Sequence, residues 1–118
     1  MKKITLILLL FFNYLIAFDS KSDIPNGKYM FVFEKEGCPY CKKFKPEAER
    51  FSKQFGYELI IVRKGSKLFK SLKEDFEIMF YPTSYLLLKN GEELDYEAEF
   101  FGYQPYEEMK HYMLEEDI

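Results

Sequence analysis

At 118 residues the chain has room for one hydrophobic core, because a second could not bury enough surface to offset its own ordering entropy. Its 17 basic and 20 acidic residues give a net charge of -3, and it holds two cysteines and one histidine. An acidic balance without a basic stripe argues against nucleic-acid binding.

Lys2 and Lys3 precede an apolar run from Leu6 to Phe12, which continues through Asn13 and Tyr14 to Ala17. The run is shorter than the roughly 20 residues a spanning helix needs, and it ends in a small residue, the pattern of an export signal. Residues 1–17 are therefore expected to be a signal peptide. Leu15 suits a small-x-small cleavage site poorly, so an N-terminal membrane tether is the alternative. Without Lys2 and Lys3, the remainder keeps 15 basic against 20 acidic residues, a net of about -5.

Residues 18–27 are polar, with Ser20, Ser22, Pro25, Asn26 and Gly27, and read as a lead-in ending in a turn. One domain is expected over 28–118. Tyr29 to Phe33 is a short apolar run flanked by turn residues, which predicts a buried strand. From Pro39, apolar positions Tyr40, Phe44, Ala48, Phe51 and Phe55 step by three or four, with lysines and glutamates between them, predicting an amphipathic helix. Pro39 suits the first turn, Pro46 is expected to kink the interior, and Gly56 ends the helix.

Tyr57 to Arg63 predicts a second strand. Ser66 then offers an N-cap before Leu68, Phe69, Leu72 and Phe76 at helical spacing. Thr83 to Leu88 and Glu93 to Phe101 read as strands joined by Lys89-Asn90-Gly91, a hairpin signal. Tyr106, Met109, Tyr112 and Met113 mark a closing helix beyond Gly102. The expected order is β-α-β-α-β-β-α, an α/β fold with a small central mixed sheet flanked by helices.

Cys38 and Cys41 are separated by two residues at the start of the first helix. A bridge closing so short a loop removes little entropy from the unfolded chain, so stabilisation alone is a weak reason for it. Thiol–disulfide exchange needs an attacking thiolate and a second thiol near enough to release the mixed disulfide. Cys38, at the positive end of the helix dipole, is the expected nucleophile. Cys41, one turn further in, is the expected resolving thiol. Lys42 and Lys43 add positive charge nearby, opposed by Glu34 and Glu36.

The stretch Phe31 to Pro46, with its strand, Gly37-Cys38-Pro39-Tyr40-Cys41 loop and interior proline, resembles the thioredoxin superfamily. The likeness covers nearly all of the chain after residue 17. Pro82 resembles the cis-proline that packs beside the cysteines and leaves backbone free to pair with a substrate strand; Tyr81 and Thr83 flank it. The resemblance implies a substrate-binding surface at Tyr81, Pro82, Thr83 and Tyr40, with Tyr103 as further groove wall, and an active-site loop that includes Gly37 and Pro39. It departs from the family in two places: Gly37 stands where tryptophan is usual, and Val32 where a buried aspartate aids proton transfer. Arg63 falls near the family's partner lysine, and deprotonation of Cys41 must use water or another group, for which Glu34 is one candidate. The Cys-Pro-Tyr-Cys sequence is typical of glutaredoxins, but the residues after Pro82 lack their glycine pair for glutathione.

The overall look is closest to exported thioredoxin-like proteins. It implies a periplasmic thiol–disulfide oxidoreductase, leaning to reduction, with oxidation or isomerisation as the alternative and a redox-inactive binding or chaperone module as the rival of another class. No nucleotide or flavin fingerprint is present, so no cofactor is expected beyond the Cys38–Cys41 disulfide, and another protein must recharge it. The expected partners are exported protein thiols or disulfides and a membrane thiol reductase or oxidase, with the chain itself a monomer. A zinc site would lack ligands, since beyond the cysteines only His111 is a conventional candidate.

Overall fold

A computed structural model of the protein describes residues 18–116, so the expected signal segment lies outside the described residues. A four-stranded mixed sheet forms the centre, in the order β2-β1-β3-β4. β1 (Gly27–Glu34) pairs in parallel with β2 (Glu58–Arg63) and antiparallel with β3 (Thr83–Asn90). As a central strand it is covered on both sides, which is why its sequence is a continuous apolar run without alternation. β4 (Glu93–Phe101) closes the other edge against β3.

A parallel pair requires a long crossover, and α1 (Pro39–Phe55) supplies it between β1 and β2. Cys38 caps its start, Pro39 occupies the first turn, and Gly56 ends it in the left-handed conformation at φ 77°. The helix runs unbroken through Pro46, which lies exposed. α2 (Lys67–Leu72) follows β2, its first turn held by Ser66 Oγ accepting from Phe69 N–H at 3.1 Å. α3 (Tyr106–Glu116) closes the chain, and the Tyr106 N–H donates to Glu47 of α1 at 3.2 Å.

The sheet separates two apolar cores. On one face, Met30, Val32, Leu86, Ala98 and Phe100 meet Phe44, Ala48 and Phe51 of α1 and Tyr106 and Met109 of α3. On the other, Phe31, Phe33, Val62, Tyr85 and Leu87 meet Leu68, Leu72 and Phe76. Ile24 joins this second core, and a 3-10 turn at Lys21–Asp23 is tied down by the Lys21 N–H donating to Ser71 Oγ at 2.9 Å. The segment read as a lead-in thus packs against the domain, and the first strand spans Gly27–Glu34 where Tyr29 to Phe33 was expected.

Two local expectations change. Phe76 is buried in the second core but stands outside α2, which ends at Leu72. Glu74 and Asp75 are unfavourable at the negative end of a helix, and the Asp75 and Glu77 carbonyls accept hydrogen bonds from Tyr96 and Tyr85 instead. The hairpin loop is Gly91-Glu92, because Asn90 still pairs with Glu93; Gly91 takes the required positive φ of 64°. A bulge in β4 shifts the register between Leu86–Ala98 and Leu87–Tyr96, leaving Glu97 to accept a hydrogen bond from Tyr57 at 2.8 Å.

Candidate active site

Cys38 and Cys41 form a disulfide at the amino end of α1, beyond the carboxyl end of β1. Cys38 is extended (φ -107°, ψ 103°), as an N-cap residue should be, and its Sγ accepts from the Cys41 N–H at 3.1 Å. That N–H is one of the orphan donors of a helix start, and it points at the outer sulfur. The two cysteines are 7% and 3% exposed, so Cys38 offers only its edge to a partner while Cys41 is sealed beneath. The arrangement suits a sulfur that must carry negative charge transiently: an amide donor and the helix dipole both stabilise the thiolate.

The Tyr81–Pro82 peptide bond is cis. The Tyr81 carbonyl oxygen lies 3.7 Å from Cys38 Sγ, so this loop sits directly beside the outer sulfur. Pro82 is buried; its carbonyl accepts from the Gly102 N–H at 2.7 Å, which ties the end of β4 to the loop. Thr83 is also buried, and its hydroxyl donates to the Phe80 carbonyl at 2.7 Å, so it shapes the loop from within rather than facing a ligand. Among the described residues the Tyr81 N–H has no partner.

Tyr40, Tyr81 and Tyr103 come together from three separate parts of the chain to line one open hollow of about 410 Å³, joined by Phe80, Phe101 and Gly102. Sequence reasoning missed those last three. Phe80 could have been found from its adjacency to Tyr81-Pro82, whereas Phe101 and Gly102 become visible only once β4 is paired with Thr83. Tyr40, Phe80 and Phe101 are largely exposed, an apolar surface of the kind that marks interaction sites. Lysines ring it: Lys43 Nζ lies 4.8 Å from the Tyr103 ring centre, and Lys35 and Lys64 lie 5.6 and 5.7 Å from that of Tyr81. Burial raises the Tyr81 phenol above the ordinary tyrosine value, so it stays a neutral wall. A larger hollow of about 480 Å³, between residues 75–79 and β4, shares Phe101 with this one but none of its three tyrosines.

The remaining expected residues divide by place. Gly37 adopts φ 71°, which favours glycine, and a Cβ there would meet nothing within 4 Å, so the space beside Cys38 is open. Pro39 is exposed in the first turn of α1. Val32 is buried in the core beneath α1. The Glu34 carboxylate is engaged by Arg63 at 3.1 Å across the β1–β2 pair, which competes with any role as a base for Cys41. His111 lies exposed on α3, 3.0 Å from Glu115, and among the described residues no group of three or more metal-ligating side chains gathers.

Residues 16–115 match the thioredoxin family profile. The fold is similar to that of a thioredoxin from Thermus thermophilus, with 18% identity over 77% of this chain and 74% of that one and a TM-score of 0.59. A thioredoxin from Aeropyrum pernix gives 17% identity over 78% and 76%, with a TM-score of 0.58. A thioredoxin-like protein from Clostridium perfringens gives 17% over 84% and 79%, with a TM-score of 0.63. At these identities the likeness is one of fold. No curated protein matches the chain.

Proposed function

The chain belongs to the thioredoxin family, as a thioredoxin-like thiol–disulfide oxidoreductase, and from that premise we propose that it is an exported one that keeps selected extracytoplasmic thiols reduced through Cys38 and Cys41. The carrying observation is the placement of Cys38 Sγ: capped by a helix amide, edged by the Tyr81 carbonyl, and next to a groove with a free backbone N–H. An extended partner segment can pair with the backbone at Tyr81 while its apolar side chains enter the aromatic hollow.

In the reducing direction, the Cys38 thiolate attacks a partner disulfide, one partner sulfur leaves as a thiolate, and Cys38 becomes bonded to the other. Cys41 then attacks Cys38 and releases the second partner thiol, leaving the disulfide seen here. A membrane thiol reductase returns the two electrons. Export rests on the amino-terminal pattern of residues 1–17, with the tether as the alternative state of the same segment.

The test is the reduction potential of the Cys38–Cys41 pair, obtained by equilibrating residues 18–118 against defined thiol–disulfide buffers. A value near or below about -250 mV supports a reductase, and one near about -120 to -180 mV supports an oxidant or isomerase. A pair that does not exchange reversibly removes the oxidoreductase reading and leaves a binding module.

A further inference from the structure

Ser84 is fully buried, and its hydroxyl is the single buried side-chain polar atom without a hydrogen-bond partner among the described residues. Most buried polar groups are satisfied, and an exception in a packed core costs stability, so this one requires a reason. Its position supplies one. Ser84 pairs with Val32 of β1 and with Phe100 of β4, and both belong to the core beneath α1. It is the first residue of β3 after Pro82 that faces this helix. Cys41 is likewise the first of the buried α1 positions, ahead of Phe44, Ala48 and Phe51. The orphan hydroxyl and the inner sulfur therefore stand at the same end of the layer between the sheet and α1.

The two sulfurs are served unequally. Cys38 Sγ has the Cys41 N–H, whereas no donor reaches Cys41 Sγ among the described residues. Val32, opposite Ser84, is apolar and supplies none either. We propose that Ser84 Oγ is the hydrogen-bond donor that receives the Cys41 sulfur when the disulfide opens. The proposal rests on the reading of Cys41 as the resolving thiol. In the mixed disulfide, the Cys41 thiol gives its proton to water, and the resulting thiolate attacks Cys38 Sγ. The Cys38–Cys41 bond forms as the bond from Cys38 to the partner breaks, and the electron pair leaves on the partner sulfur, which then takes up a proton. Ser84 keeps its own proton throughout and stabilises the charge on Cys41 before the attack. In the closed disulfide that charge is absent, which is why the hydroxyl stands idle there.

The experiment is an NMR titration of the Cys41 β-carbon in reduced Cys38→Ala protein, with and without Ser84→Ala. Loss of a hydrogen bond to a charged group should raise the Cys41 pKa by about one unit, a tenfold change in its ionisation constant. With both cysteines present, Ser84→Ala should leave the oxidised protein at least as stable to urea while making its reduction potential more negative. A merely structural serine would instead weaken both redox forms alike and leave the titration where it was. Ser84→Thr and Ser84→Val, which match in shape and differ in the hydroxyl, repeat the comparison should alanine disturb packing; the threonine protein should retain the lower pKa. Coincident titrations overturn the proposal. The titration needs no exchange activity: a Ser84 effect in a protein that fails to exchange would reject the oxidoreductase reading alone, and normal exchange with coincident titrations would reject Ser84 alone.

Discussion

At the scale of single residues, the chemistry depends on which polar atoms find partners. Cys38 finds a backbone amide at 3.1 Å, while Tyr57 and Tyr85 bury their rings and place their hydroxyls against acceptors. Burial raises the pKa of both phenols strongly, with Glu97 adding to the effect at Tyr57 and Glu99 at Tyr85. A folded pKa above the unfolded one favours the protonated state. Their contribution to stability is therefore complete below the ordinary tyrosine value of 10 and is lost as the pH rises beyond it. In an alkaline titration, part of the tyrosinate absorbance should appear together with loss of far-ultraviolet circular dichroism. Tyr57→Phe combined with Tyr85→Phe should flatten the fall of stability above about pH 10. Cys38 and Cys41 were legible in sequence because their spacing is local and their chemistry specific, whereas Pro82 was legible only through the family resemblance. Ser84 was not, because a serine becomes unusual only when packing removes water and every partner from it.

At the scale of elements, local signals located each helix and strand, and tertiary hydrogen bonds adjusted their ends. α2 has six residues, too few to persist on its own, so it depends on its cap and on Leu68 and Leu72 beneath it. Ser66→Ala removes the hydroxyl that accepts from the Phe69 N–H and should cost about 1 kcal/mol, read from urea unfolding with an unchanged slope. The redox pair lies on a different helix, so its potential should stay put. Helical spacing alone assigned Phe76 to α2, since burial gives a loop aromatic the same apolar signature as a helical one. What ended the helix was two adjacent acids at its negative end and the recruitment of nearby carbonyls by Tyr96 and Tyr85. The hairpin moved by one residue for a similar reason: Gly91 reaches the needed φ, and its N–H is also held by Asn26 Oδ1 at 2.7 Å.

At the scale of the whole molecule, the aromatic side chains join the layers. Phe51 of α1 stacks on Phe55 at 4.6 Å, lies parallel to Tyr57 at 6.2 Å, and meets Phe100 of β4 edge-on at 5.9 Å. Phe51→Ala empties the centre of the α1-side core and should cost about 3–5 kcal/mol, a large part of a total near 5–15 kcal/mol for a domain of this kind. Its midpoint in denaturant should fall accordingly, before any change in the active-site loop is considered. The sequence by itself determined the α/β order, the two-faced burial of β1, the helix that Cys38 caps and the disulfide chemistry at its start, because each follows from spacing along a few neighbouring residues. Tertiary structure alone decided that Tyr40, Tyr81 and Tyr103 share one hollow with Phe80 and Phe101, that Glu34 is engaged by Arg63, and that Ser84 lies buried and unpartnered between its strand neighbours Val32 and Phe100. These are contacts between residues far apart in the chain, and strand pairing and the removal of water create them only when the sheet is assembled.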